Sequence, residues 1–183
     1  MSKPTITDGL AELAAAAQAI DQGQITAACE MIAKAGKIVA YGCGREGLQV
    51  QGLVMRLHHL GLHASMQGDM SAPPLGRGDL FLCSAGPGEL STVTALMLVA
   101  RDAGADILLL TATPKTPAAA LATFTLTIPA QTMANDQSSA SVLPMGSIYE
   151  GALFLLFEYM VLILRDRLGE TPDTMRARHT NME

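Results

Sequence analysis

Two glycine-rich turns carry the residue types from which this chain could build a binding site. The first lies in Lys37 to Gly47, KIVAYGCGREG, and the second in Asp79 to Ser91, DLFLCSAGPGELS. Each follows a short apolar run and opens a helix-like stretch. Glycine removes the Cβ that would hold a ligand away from the backbone, and the N–H groups at the head of a helix then form a ready anion site. One such turn is common. Two at the carboxyl ends of parallel strands would open towards one crevice, where open α/β sheets bind ligands. A small anionic ligand is the first chemistry this pattern suggests.

Gly42 to Gly47 also satisfies G-x-G-x-x-G between a strand and a helix, the pattern of a dinucleotide site. An acidic ribose partner should then lie near the end of the second strand, and Asp69 is only loosely placed for it. The chain has no room for a catalytic domain beyond one sheet, which leaves a nicotinamide enzyme as the lesser reading.

The elements that must position these turns follow from the hydrophobic pattern. Ile6 to Ile20 and Ile25 to Ala35 read as Ala-rich helices broken at Asp21-Gln22-Gly23. Strand signals follow at Lys37–Tyr41, His63–Gln67, Asp79–Ser84, Asp106–Thr111 and Phe124–Ile128, with helices at Glu46–Leu60 and Leu90–Ala103 and a short one at Ala118–Ala122. This alternation implies a parallel sheet with right-handed crossovers. Pro129 to Leu143 is polar and Ser-rich and predicts a long functional loop. A long helix runs from Ser147 to Leu168-Gly169, and the polar tail Thr171 to Glu183 begins with a helix-entry signal.

Composition narrows the partners. A chain of 183 residues, 49% of them apolar, can bury one ordinary core and predicts a single domain. The net charge of −5 and the absence of a basic stripe argue against nucleic acid. Cys29, Cys43 and Cys83 are odd in number and lack paired ligand spacing, which disfavours structural zinc and a disulfide framework and fits a reducing cytoplasm. Asp8 and Glu12 interrupt the N-terminal Ala-rich run, so it does not read as a secretory or transit signal. Ile148 to Leu164 is apolar enough to resemble a membrane span, but it is short for one and carries Glu150 and Glu158 on one face. It predicts a buried helix with no membrane partner, and a subunit interface as the cover for its remaining apolar surface.

Taken in order, GCGREG, MRLHHLG at Met55 to Gly61, QGD at Gln67 to Asp69, RGDLFLCSAGPGE at Arg77 to Glu89, LPMGSIYE at Leu143 to Glu150 and the closing ARHTNME at Ala177 to Glu183 form one series of blocks. The series resembles the sugar isomerase (SIS) domain family, and within it the 6-phospho-3-hexuloisomerases, over nearly the whole chain. The resemblance implies a three-layer α/β/α sandwich around a five-stranded parallel sheet of flavodoxin-like topology. One domain would span 1–183, with N-terminal helices over 1–35, a core over 37–168 and a tail over 171–183. The implied assembly is a homo-oligomer, usually a tetramer. The implied reaction moves a carbonyl along a 3-ketose 6-phosphate, without metal or organic cofactor.

Carried over by motif, Gly44, Arg45 and Gly47 would belong to the first ligand loop, in which Glu46 also lies, and Gly86, Gly88 and Glu89 to the second, with Ser84 and Ser91 nearby. Glu150 matches the carboxylate of a P-x-G-x-x-x-E block and would act as the base of an enediol pathway, its pKa raised by the apolar helix around it. His179 matches the histidine of the closing block and would shuttle a proton to the sugar oxygens, from its own or a neighbouring subunit. Arg45 would stabilise developing negative charge, and His59 could reach the cleft. The residues by themselves also fit plainer roles: Glu150 and Glu89 as carboxylates at helix heads, His179 as an exposed tail residue, and Arg45 as the ion-pair partner of Glu46.

The chain departs from the family pattern where phosphate would bind. Glu46 stands where the first turn normally has serine, and Ala85, Pro87 and Leu90 replace three hydroxyl residues of the second. A carboxylate about 4 Å from a phosphate is repelled by roughly 1 to 4 kcal/mol per charge pair. Two functions follow: a sugar or sugar-phosphate isomerase, and a non-catalytic or regulatory sugar-binding domain.

Overall fold

The computed structural model describes residues 3–136 and 141–182; the part of the predicted Ser-rich loop at 137–140 and the last residue of the predicted tail lie outside them. Two helices, α1 (Ile6–Gln18) and α2 (Gln22–Lys34), precede the sheet. Thr5 and Asp8 close a reciprocal capping box on α1, and the Asp21 side chain accepts from the Gln24 N–H at the head of α2. Asp21 therefore starts the second helix, and Gln22 and Gly23, expected in the break, are helical.

The sheet has five parallel strands in the order β2-β1-β3-β4-β5: β1 (Ile38–Gly42), β2 (Ala64–Met66), β3 (Leu80–Ser84), β4 (Asp106–Thr111) and β5 (Phe124–Thr127). Helix α3 (Gly44–His59) joins β1 to β2, and α4 (Ser91–Asp102) joins β3 to β4. The segment expected as a short helix before β5 is a 3-10 turn at Ala119–Leu121. The long helix α5 (Ser147–Leu168) and a short α6 (Pro172–Ala177) complete the chain.

Alternation along the strands divides the core into two layers. Ile38, Ala40, Leu80, Leu82, Leu108, Leu110 and Leu126 face α1, α2, α3 and α5, while Phe81, Cys83, Ile107 and Leu109 face α4. This is the predicted α/β/α sandwich. Because both faces are covered, the central strands are apolar at nearly every position, which explains their reading as short continuous runs.

Helix α5 is long and apolar enough to cross a membrane, yet it lies in the core. Ile148, Tyr149, Ala152, Leu153, Leu156, Phe157, Met160, Val161 and Leu164 are buried, and the helix packs on α1, α2 and α3. Burying each large apolar side chain contributes about 1.5 to 3 kcal/mol, so the buried-helix reading is the favourable one. Phe154, Leu155, Tyr159 and Leu162 remain exposed on its other side. Gly169, in the left-handed region, ends the helix.

Candidate functional site

Both glycine-rich turns leave the sheet where β1 and β3 run side by side, the point at which the strand order reverses. Ligands of open α/β sheets bind there. In the first turn Gly42 ends β1, Cys43 is the N-cap, and α3 begins at Gly44 with φ +55°. A Cβ on Gly47 would sit 2.5 Å from the Gly42 carbonyl oxygen. Any side chain at that position would push α3 off β1 and carry Arg45 and Glu46 with it. In the second turn Gly88 has φ +96°, and its missing Cβ would meet Thr113 and Thr116 at 2.8 Å. Thr116 Oγ1 donates to the Gly88 carbonyl at 3.0 Å, which anchors the turn to the loop after β4.

Arg45 and Glu46, adjacent on α3, point to different partners. Arg45 Nε lies 2.8 Å from Glu150 Oε2 and 3.0 Å from Oε1, and Arg45 Nη2 donates to the Met145 carbonyl at 2.6 Å. Met145 holds this carbonyl in place with φ 58°, the one positive φ among described non-glycine residues. Such a backbone costs energy and persists where surrounding structure enforces it. Glu150, in the first turn of α5, is 15% exposed. Burial pushes its pKa above the ordinary value of 4.5, and Arg45 offsets part of that rise.

Glu46 does not pair with Arg45, contrary to the plainer sequence reading. It bridges from the first turn to the second: Ser84 Oγ donates to Oε2 at 2.6 Å, and the Gly86 N–H donates to Oε2 at 3.0 Å and Oε1 at 3.2 Å. Ser84 has one hydroxyl proton, so the buried Tyr149 hydroxyl, 3.2 Å away, donates to Ser84 in turn. Burial raises the Glu46 pKa, the bonds from Ser84 and Gly86 pull it back, and the Glu150 charge pushes it up again.

These groups enclose a cleft of about 330 Å³ lined by Cys43, Gly44, Arg45, Glu46, Pro87, Leu90, Thr132, Met133, Gly146, Tyr149 and Glu150. Its volume suits a small metabolite. Of the three apolar replacements in the second turn, Pro87 and Leu90 line the cleft, whereas Ala85 is buried on the α4 side. Glu89 is exposed ahead of Leu90, the N-cap of α4, and Ser91 is the exposed first residue of that helix. Neither lines the cleft.

The two histidines stand elsewhere. His59 ends α3, about 20 Å from Arg45 at 1.5 Å per helical residue. The His179 ring stacks on it with centroids 5.2 Å apart. Arg178 clasps the tail there, donating to the His59 carbonyl at 2.9 Å and pairing with Glu170 at 2.7 Å. Within one chain, Glu150 and His179 therefore face different cavities.

Sequence reasoning missed Tyr149, Thr132, Met133 and the Met145 carbonyl. The first and last sit in the LPMGSIYE block, whose Met-Gly pair before a helix marks a turn that could have been examined for both. Thr132 and Met133 come from the loop predicted as functional, in which no motif singles out these two residues.

A SIS domain model matches residues 31–156. The 3-hexulose-6-phosphate isomerase of Mycobacterium gastri is 33% identical over 172 residues, 94% of this chain and 86% of its own length. The enzyme of that name from Bacillus subtilis is 29% identical over 97% of each chain. A crystal structure from Methanococcus jannaschii, described as implying the same molecular function, superposes with a TM-score of 0.83 at 21% identity, covering 95% of this chain and 98% of that one. The chain belongs to the SIS domain family. With curated relatives of this kind it is an isomerase-type enzyme.

Proposed function

We propose that this protein isomerises a keto sugar of the hexulose type, moving the carbonyl to the neighbouring carbon through an enediol. The observation that carries the reading is Glu150, a carboxylate with a raised pKa, held against Arg45 in a cleft between two glycine turns. Glu150 removes the proton from the carbon beside the carbonyl and returns it to the former carbonyl carbon. Arg45 stabilises the negative charge that develops on the oxygens. The naming of the curated relatives supports the sugar class.

His179 completes this reading as the group that moves a proton between the sugar oxygens. The separation of the two cavities favours delivery of His179 to the cleft of a neighbouring subunit in a homo-oligomer, with a tetramer as the expected assembly. Exposed Phe154, Leu155, Tyr159 and Leu162 on α5 supply an apolar face for such contacts. A stable monomer in sedimentation at low micromolar concentration would contradict the assembly.

The direct test is solvent exchange. An enediol pathway exposes the abstracted proton to solvent, so ketohexoses and their 6-phosphates incubated in D2O should gain deuterium at the carbon beside the carbonyl, read by NMR. Glu150→Gln should abolish the uptake. Binding without uptake by any sugar of the panel would favour a regulatory sugar-binding domain instead.

A further inference from the structure

We infer that Glu46 is the specificity-determining residue of this cleft, an internal carboxylate that occupies two donors at the junction of the two turns and selects a keto sugar whose terminal group is a free hydroxyl rather than a phosphate. This inference rests on the keto-sugar reading of the cleft and adds to it the chemistry of the sugar's end.

A phosphate needs hydrogen-bond donors and positive charge. Two donors at the junction of the two turns, the Ser84 hydroxyl and the Gly86 N–H, already point at Glu46. Ser84 is fully buried and Gly86 is packed so closely that a Cβ on it would lie 2.9 Å from Glu46 Oε1. The arrangement is thus built around the carboxylate. Pro87, on the cleft wall, contributes no N–H. The one guanidinium of the cleft, Arg45, is held by Glu150 and by the Met145 carbonyl. Two carboxylates stand against one cation, so an incoming dianion meets no net positive charge.

The same groups suit a hydroxyl. An ionised carboxylate offers about four acceptor directions, and the bonds from Ser84 and Gly86 fall mainly on Oε2. Oε1 keeps acceptor capacity, and Glu46 is part of the cleft wall. A terminal CH2OH can donate to it, whereas a phosphate offers acceptors and charge of the same sign. At about 4 Å, even with the full screening of bulk water, that repulsion corresponds to roughly a fivefold loss of affinity.

The experiment compares wild type, Glu46→Ser and the near-isosteric Glu46→Gln, with two measurements. Melting temperatures are recorded with inorganic phosphate and with fructose 6-phosphate. Deuterium uptake is measured for a panel of free ketohexoses and their 6-phosphates. In wild type the phosphates should not raise the melting temperature, and the exchange rate should favour the free sugars. In Glu46→Ser, phosphate should stabilise the protein and the exchange ratio should move towards the 6-phosphates by about tenfold or more, as expected when a charge-assisted contact replaces a repulsive one. Glu46→Gln, which keeps the side-chain volume, should lose the discrimination without requiring a cavity to be tolerated. A wild type that is stabilised by phosphate or that exchanges the 6-phosphates faster overturns the inference and leaves the isomerase reading intact. Equal phosphate responses in all three proteins overturn it as well. Absence of exchange with every sugar, together with phosphate stabilisation gained only in the Glu46 variants, supports the role of Glu46 and refutes the isomerase reading.

Discussion

Helices α3 and α5 run side by side, and their two ends differ in how they treat charge. At one end Arg45, Glu46 and Glu150 are drawn into a cleft, each carboxylate bonded by side-chain or backbone donors and pushed up in pKa by burial. Towards the other, Arg56 pairs with Glu158, Arg178 pairs with Glu170, and His179 lies exposed on His59. The first end has the desolvated groups that proton transfer from carbon requires. The second is a clasp that fixes the tail and presents a histidine outward. The difference teaches that a single copy of this fold gathers its buried carboxylates at one cavity and places His179 at another.

The sharpest way to break this contrast is Glu150→Gln. It should lower turnover on any accepted sugar by about 100- to 10,000-fold, the range for loss of an acid–base group, with little change in melting temperature. A loss below tenfold would remove Glu150 from the chemistry. His179→Ala should then reduce turnover by about 100-fold or more, although the residue is exposed. Mixing Glu150→Gln with His179→Ala subunits, after exchange has been verified by mass labelling, should restore partial activity. No recovery under those conditions would confine each site to one chain and sink the shared cleft.

Glycine substitutions probe the same two ends through the backbone. Gly47→Ala forces its Cβ against the Gly42 carbonyl and should cost roughly 1 to 3 kcal/mol in denaturant unfolding while disturbing Arg45 and Glu46. Gly61→Ala at the far end meets the movable guanidinium of Arg178 instead, at 3.0 Å, and pays chiefly for its positive φ, about 1 to 2 kcal/mol. Activity should fall more with the first than with the second, whatever the stability order. The reverse result would place the sensitive geometry at the clasp.

The smallest expected effect is in pH. Glu46 and Glu150 both titrate above 4.5 in the folded protein, so their stabilising contribution is complete when protonated, below the ordinary carboxylate value, and is lost as pH rises through the raised values. Glu46→Gln removes one of these groups, and Glu150 and Tyr149 are the titratable groups that face it. The melting temperature of the variant minus that of wild type should therefore be greatest at neutral pH and shrink towards pH 4.5. A difference that stays flat with pH would mean that Glu46 is not held above its ordinary value.

The layered fold was legible because buried parallel strands and capped helices leave local signatures: LFLCS is buried at all five positions, and Asp21 and Gly169 mark helix ends. The crevice was legible for the same reason, since each glycine turn follows a strand. Side-chain partners were not. Arg45 and Glu150 are 105 residues apart, and neighbouring residues on a first helical turn point in different directions, so nothing local tells Arg45 to meet Glu150 and Glu46 to meet Ser84. The tail was read as a contributor to the cleft by resemblance alone. Its docking on α3 depends on Arg178 reaching the His59 carbonyl past Gly61, a long-range contact without periodicity.

Cys43 stands at the N-cap of α3 on the wall of the cleft, whereas Cys29 and Cys83 are buried. Burial pushes the Cys29 thiol up to about 11 and the Cys83 thiol higher still, which withholds the reactive thiolate at both. A maleimide or disulfide reagent applied to the native protein should therefore label one position per chain. Any molecule that enters the cleft competes with that reagent, so the rate of labelling becomes a meter of occupancy. The protein carries its own probe for screening candidate sugars before a reaction product is known.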